Sequence, residues 1–91
     1  MLYKLYEIIE GRKKDPKPGS YTKSLFDAGT QRASQKVGEE AIEVIIAAAD
    51  QGKGRIIEEA SDLIYHLFVL LVLEGISLDE LESELEQRHA K

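Results

Sequence analysis

The sequence predicts an all-α domain, a helical bundle built on one long antiparallel helix hairpin and completed by dimerisation. Three observations predict it. Apolar residues recur three and four positions apart through most of the chain. No stretch alternates polar and apolar residues as a half-buried strand would. A turn-forming run, Asp50-Gln51-Gly52-Lys53-Gly54, separates two long periodic segments, and so short a link favours antiparallel neighbours.

The elements follow in order. Leu2, Leu5, Ile8 and Ile9 share a face of a first helix, which Gly11 and the charged, proline-bearing stretch Arg12 to Pro18 are expected to stop. Ser20 to Ala28 holds a short helical turn ended by Gly29. Thr30 is a good N-cap for a long helix reaching about Ala49. The second long helix runs from about Arg55 to Leu73 and closes at Glu74-Gly75. Ser77-Leu78-Asp79-Glu80 is a capping box, in which the Ser hydroxyl and the Glu three residues later each satisfy an orphan backbone amide, and the helix it opens continues through Leu81 and Leu85.

With 91 residues, the chain has room for a single domain, residues 1–91, and one this short buries a modest fraction of its surface alone. Ile42, Ile45 and Ile46 on one long helix, with Ile64, Phe68, Leu71 and Val72 on the other, leave apolar residues on nearly every side. Helices apolar all round are buried all round, which predicts a homodimer; the alternative is a compact monomer with an exposed apolar patch. The net charge of −5 leaves no electrostatic footprint for nucleic acid or an anionic membrane. The absence of cysteine removes disulfides, thiolate zinc sites and cysteine nucleophiles together. Lys4, Glu7 and Glu10 interrupt the N-terminus where a signal peptide needs an apolar core, and the longest apolar run, Leu67 to Leu73, is too short to span a bilayer. The expectation is a soluble cytoplasmic protein.

Two acidic pairs carry the chemistry. Glu40 and Glu43, then Glu59 and Asp62, stand three apart on the two long helices, each pair among aliphatic residues. Val37, Ala41, Val44 and Ala48 form an apolar stripe that Glu40 borders, and Glu59 shares a side with Ile56, Leu63 and Leu70. An ionised carboxylate in such a place costs several kcal/mol unless something neutralises it. The antiparallel turn brings the pairs to similar heights, so four oxygen donors can face one space, which suits a hard divalent ion, Mg²⁺ or Mn²⁺. Glutamates three apart also occur on ordinary solvated helix faces, and the spacing by itself leaves both readings open.

The pattern Glu40-x-x-Glu43, a gap, then Glu59-x-x-Asp62 resembles the signature of the all-α nucleotide pyrophosphohydrolases, the group that includes the MazG-like enzymes and dimeric dUTPases. Around it, Gly19-Ser20-Tyr21-Thr22, Leu25-Phe26 with Gly29, Gln35-Lys36-Val37-Gly38-Glu39-Glu40 and Glu59-Ala60-Ser61-Asp62-Leu63-Ile64-Tyr65-His66 resemble the phosphoribosyl-ATP pyrophosphohydrolase family of histidine biosynthesis, over nearly the whole chain. The resemblance implies metal-dependent hydrolysis of phosphoribosyl-ATP to phosphoribosyl-AMP and pyrophosphate, the second step of that pathway. It implies a MazG-like bundle in which Glu40, Glu43, Glu59 and Asp62 hold one or two Mg²⁺. Some members are fused to the next enzyme of the pathway, whose zinc site uses cysteines; this cysteine-free chain is expected to be the stand-alone form.

Other residues have two readings each. Glu39 is a candidate base for the attacking water, or a support to a ligand, or a solvated side chain. Arg32 and Lys36 stand where they can reach phosphates, or each forms a surface salt bridge to Glu39 or Glu43. Ser20, Tyr21, Thr22 and Lys23 could cradle phosphate or ribose; equally, Ser20 or Thr22 caps the short helix and Tyr21 stacks on adenine or joins the core. His66 either bonds a metal ligand or is a satisfied core histidine. Arg12, Lys13 and Lys14 attract phosphates or form a solvated charged loop. Two other functions compete with the implied one: a MazG-like housecleaning pyrophosphatase acting on free nucleoside triphosphates, and a non-enzymatic dimeric helical interaction module.

Overall fold

A computed structural model describes residues 1–89 as five helices, α1 (Leu2–Lys14), α2 (Tyr21–Ala28), α3 (Thr30–Asp50), α4 (Gly52–Leu73) and α5 (Leu78–His89), with no strand among the described residues. The all-α expectation holds. α3 and α4 form the antiparallel hairpin, α1 lies along the C-terminal half of α4, and α2 wedges among α1, α3 and α4.

Helix boundaries differ from expectation in three places, each for a local reason. α1 does not stop at Gly11 but runs on to Lys14 and ends at Asp15, because a residue preceding proline, here Pro16, is pushed out of the helical region. Its last turn holds Arg12, Lys13 and Lys14, where positive charge complements the helix dipole. Thr30 is the first residue inside α3 rather than its cap; Gly29 takes the cap position at φ 89°, a backbone shape that costs a side-chain-bearing residue dear, and there the chain turns from α2 into α3. The turn between the long helices shrinks from five residues to Gln51 alone, since Gly52 makes the reversal at φ 85° and already starts α4. The capping box of α5 forms in full: Glu80 N donates to Ser77 Oγ at 3.1 Å and Ser77 N to Glu80 Oε2 at 3.0 Å.

The core gathers Tyr6 and Ile9 of α1, Leu25 of α2, Ala33 of α3, and Phe68, Val69 and Val72 of α4. Tyr6 and Phe68 meet edge to face with ring centroids 5.1 Å apart, and the Tyr6 hydroxyl donates to the Ile76 carbonyl, pinning α1 to the loop before α5. This core covers the far end of the hairpin. Toward the turn none of the described residues covers it: every residue from Ala48 to Arg55 is exposed, and so are Ile42, Ile45, Ile46 and Ile57. No helix among the described residues is long and apolar enough to cross a membrane.

Candidate metal centre

Within the hairpin the apolar seam is turned one position from the stripe read from sequence. On α3 it passes through Ala33, Val37, Glu40, Val44 and Ala47, with Ala47 fully buried and Ala48 exposed, so Glu40 lies in the seam instead of beside it. On α4 it passes through Ile56, Glu59, Leu63, His66 and Leu70. All ten are buried or half-buried, at the three-and-four spacing by which two helices keep one face in contact. Three polar residues, Glu40, Glu59 and His66, therefore interrupt an otherwise aliphatic contact, and Glu59 is only 7% exposed.

Glu40 and Asp62 stand eleven residues from Gln51 on opposite sides of the reversal, so they come level, with Glu59 nearly one turn closer to it. Carboxylate oxygens of Glu40, Glu59 and Asp62 lie within 4.8 Å of one another. Glu43 stands outside this group, exposed, one turn along α3 toward the reversal. Two cations border the cluster. Lys36 Nζ lies 3.5 Å from Glu40 and 3.4 Å from Glu39, and Arg55 donates to Glu59 at 2.5 Å and to Glu58 at 2.9 Å. Each cation sits one turn N-terminal to the first carboxylate of its own helix. Arg55 was missed in the sequence, although its spacing to Glu59 repeats that of Lys36 to Glu40.

Electrostatics follow from these contacts. Burial works against the Lys36 ammonium, but Tyr21, Glu39 and Glu40 outweigh it and hold its pKa above the ordinary lysine value. Hydrogen bonds from Gln35, then from Lys36, hold the Glu39 carboxyl below its usual range. Five carboxylates (Glu39, Glu40, Glu58, Glu59 and Asp62) thus gather around Lys36 and Arg55.

Beside the cluster, on the side away from the reversal, α2 is tied to α4. His66 Nδ1 donates to the backbone carbonyl of Asp62 at 2.8 Å, which leaves Nε2 to accept from the Tyr21 hydroxyl, also at 2.8 Å. Thr22 is buried and bonds the Tyr65 hydroxyl. His66 is thus a satisfied buried histidine that also holds the main chain of a cluster residue. The other sequence candidates take local partners: Ser20 caps α2 by accepting from Lys23 N at 3.1 Å, Lys23 pairs with Asp27 at 2.5 Å, and Arg32 is exposed, its charge felt at Glu39.

Three oxygens from three carboxylates around one small space, one of them buried, make a donor set for a hard divalent cation. The protein also matches a known family. Residues 2–89 match the family described as phosphoribosyl-ATP pyrophosphohydrolase. A phosphoribosyl-ATP pyrophosphatase of Pyrobaculum neutrophilum is 50% identical over 88 residues, covering 97% of this chain and 94% of that protein. One from Streptococcus sanguinis is 50% identical over 91 residues, covering all of this chain and 88% of that protein. The histidine biosynthesis bifunctional protein HisIE of Caldanaerobacter subterraneus is 53% identical over 91 residues, of which this chain spans 44% of the length.

Proposed function

The chain belongs to the phosphoribosyl-ATP pyrophosphohydrolase family, and from that membership we propose how its own residues perform the hydrolysis of phosphoribosyl-ATP to phosphoribosyl-AMP and pyrophosphate in histidine biosynthesis. One observation carries the proposal: the meeting within 4.8 Å of Glu40 and Glu59 of the hairpin seam with Asp62, which is exposed at its edge. These clustered carboxylates fit Mg²⁺, with Mn²⁺ as an alternative. Glu43, exposed one turn along α3, is the fourth donor in this reading. Held by these carboxylates, a divalent ion would supply charge neutralisation on the triphosphate and would acidify a water at neutral pH.

The chain supplies the rest. Lys36, held charged at the seam, reaches from Glu40 to a phosphate oxygen, with Arg32 one turn before it adding positive field. Glu39, kept ionised by Gln35 and Lys36, accepts the proton of the attacking water. Tyr21, half exposed and fixed through His66, offers its ring to the adenine, while Ser20, Thr22 and Lys23 shape the loop that meets the ribose and phosphates. His66 keeps the loop and the Asp62 main chain in one register.

The same reading makes the enzyme a cytoplasmic homodimer. Ile42, Ile45, Ile46 and Ile57 expose an apolar surface around the bare end of the hairpin, and a second copy of this chain covers it.

The test is pyrophosphate release from phosphoribosyl-ATP, with ATP and dUTP as comparison substrates, each in Mg²⁺ and again in EDTA. Turnover of phosphoribosyl-ATP that stops in EDTA is expected. Equal turnover of the free triphosphates would move the chain to housecleaning chemistry, and unchanged rates in EDTA would remove the metal from the mechanism.

A further inference from the structure

We propose that Arg55 is the receptor for the pyrophosphate end of the substrate, and that the triphosphate therefore lies along the hairpin with its nucleoside toward α2 and its terminal phosphates toward the Gln51 reversal. The inference rests on the reading of the Glu40, Glu59 and Asp62 cluster as a metal and triphosphate site.

The two helices run antiparallel, yet each places its cation one turn N-terminal to its first carboxylate. Lys36 consequently lies beyond the cluster on the side away from the reversal, and Arg55 beyond it on the side toward the reversal. The steps from Lys36 to Glu40, across the carboxylates, and from Glu59 to Arg55 are 3.5 Å, at most 4.8 Å and 2.5 Å. The cations thus bracket the cluster no more than roughly 11 Å apart along these contacts, a span of a few hydrogen-bond lengths that a triphosphate chain can bridge.

The two ends differ in what else they hold. At the Lys36 end stand Tyr21 and His66, joined at 2.8 Å, an aromatic and partly buried surface suited to a base and sugar. At the Arg55 end every residue from Ala48 to Arg55 is exposed, the Arg55 side chain to 47%. An open, cationic end suits a small, highly charged, freely hydrated product. A guanidinium is also the side chain whose planar fork matches two phosphate oxygens at once. In the structure that fork is divided between Glu58 and Glu59, each through one nitrogen, so an incoming anion competes chiefly with the exposed Glu58 contact.

Binding of inorganic pyrophosphate with Mg²⁺ to the full chain, measured by calorimetry and as product inhibition, tests this beside inhibition by phosphoribosyl-AMP. Arg55→Gln is expected to weaken pyrophosphate about 10- to 100-fold, as loss of a charge-assisted contact does, while phosphoribosyl-AMP changes less than about threefold. Arg55→Lys recovers part of the loss. Glu58→Gln, at an exposed site that leaves the fold unburdened, frees the guanidinium and tightens pyrophosphate a few-fold. Mn²⁺ alone, followed by its electron-spin signal, binds Arg55→Gln at least as tightly as the parent because a like charge has gone. Undiminished pyrophosphate binding in Arg55→Gln, equal loss of both products, or pyrophosphate binding in Glu58→Gln no tighter than the parent's would overturn the assignment of Arg55 and leave the metal reading standing. A parent protein that neither binds Mn²⁺ nor turns over phosphoribosyl-ATP would instead overturn the reading beneath it, and the assignment with it.

Discussion

Glu59→Gln isolates the electrostatic reason for the carboxylate cluster. Glu59 is 7% exposed, and its carboxylate shares a 4.8 Å neighbourhood with those of Glu40 and Asp62. At that separation and an effective dielectric of about 20, the half-buried Glu40 repels it by roughly 3.5 kcal/mol before any compensation, and the exposed Asp62 by less because solvent screens it. Arg55 opposes this from 2.5 Å, but its half-exposed guanidinium is screened by solvent and shared with Glu58. The substitution removes two repulsions and one screened ion pair, so without metal the variant is expected to melt within a few degrees of the parent, or above it. With metal the two proteins part. An ion that binds only the folded state stabilises it by about 2.7 kcal/mol at a hundredfold excess over its Kd. In a domain of this size that raises Tm by upwards of about 10 °C. Calorimetric melting in Mg²⁺ and in EDTA reads the difference directly, and Glu59→Gln is expected to lose most of the metal-induced rise. An equal rise in parent and variant would refute the assignment of Glu59 as a ligand; no rise in the parent would refute the metal centre.

Three further outcomes follow from contacts described above. Tyr6→Phe strands the Ile76 carbonyl and is expected to cost about 1–2 kcal/mol in urea unfolding. Burial, then Glu10 and Glu80, raise the Tyr6 pKa; that contribution is fully present below the unfolded tyrosine value of about 10 and is lost as pH rises through the higher native value, so the phenylalanine variant should show a shallower alkaline loss of stability. Tyr21→Phe leaves His66 Nε2 without its donor and is expected to lower stability by about 1 kcal/mol and raise KM more than it lowers kcat; an unchanged KM would detach Tyr21 from substrate binding. Ile45→Asp places a charge in the middle of the exposed isoleucines, at a residue 68% exposed, and is expected to shift the protein from dimer to monomer in light scattering while helix content persists; a parent that is already monomeric would remove the dimer.

Much of the fold could be read from residues near one another in the chain. Helix period, the Ser77 to Glu80 capping box and the reversal near Gly52 are decided within a turn or two, and the structure shows all three. The two acidic pairs are likewise properties of spacing, whereas the family pattern and the match of residues 2–89 to it rest on residue identities along the chain. The end of α1 was in principle legible too, since Pro16 outranks Gly11 as a helix stop. What spacing could not supply is the rotation of each helix about its axis. One residue moves a side chain by about 100°, and the choice between Ala47 and Ala48 as the buried position is made by how α3 settles against α4, α1 and α2. That rotation puts Glu40 into the seam, gathers it with Glu59 and Asp62, and leaves Glu43 outside. It also sets Arg55 against Glu59 and lets Tyr21 of α2 find His66 of α4 across forty-five residues of chain. The sequence by itself determined the helices and which residue types were present to make a site; only packing between helices, a long-range interaction, decided which of them meet.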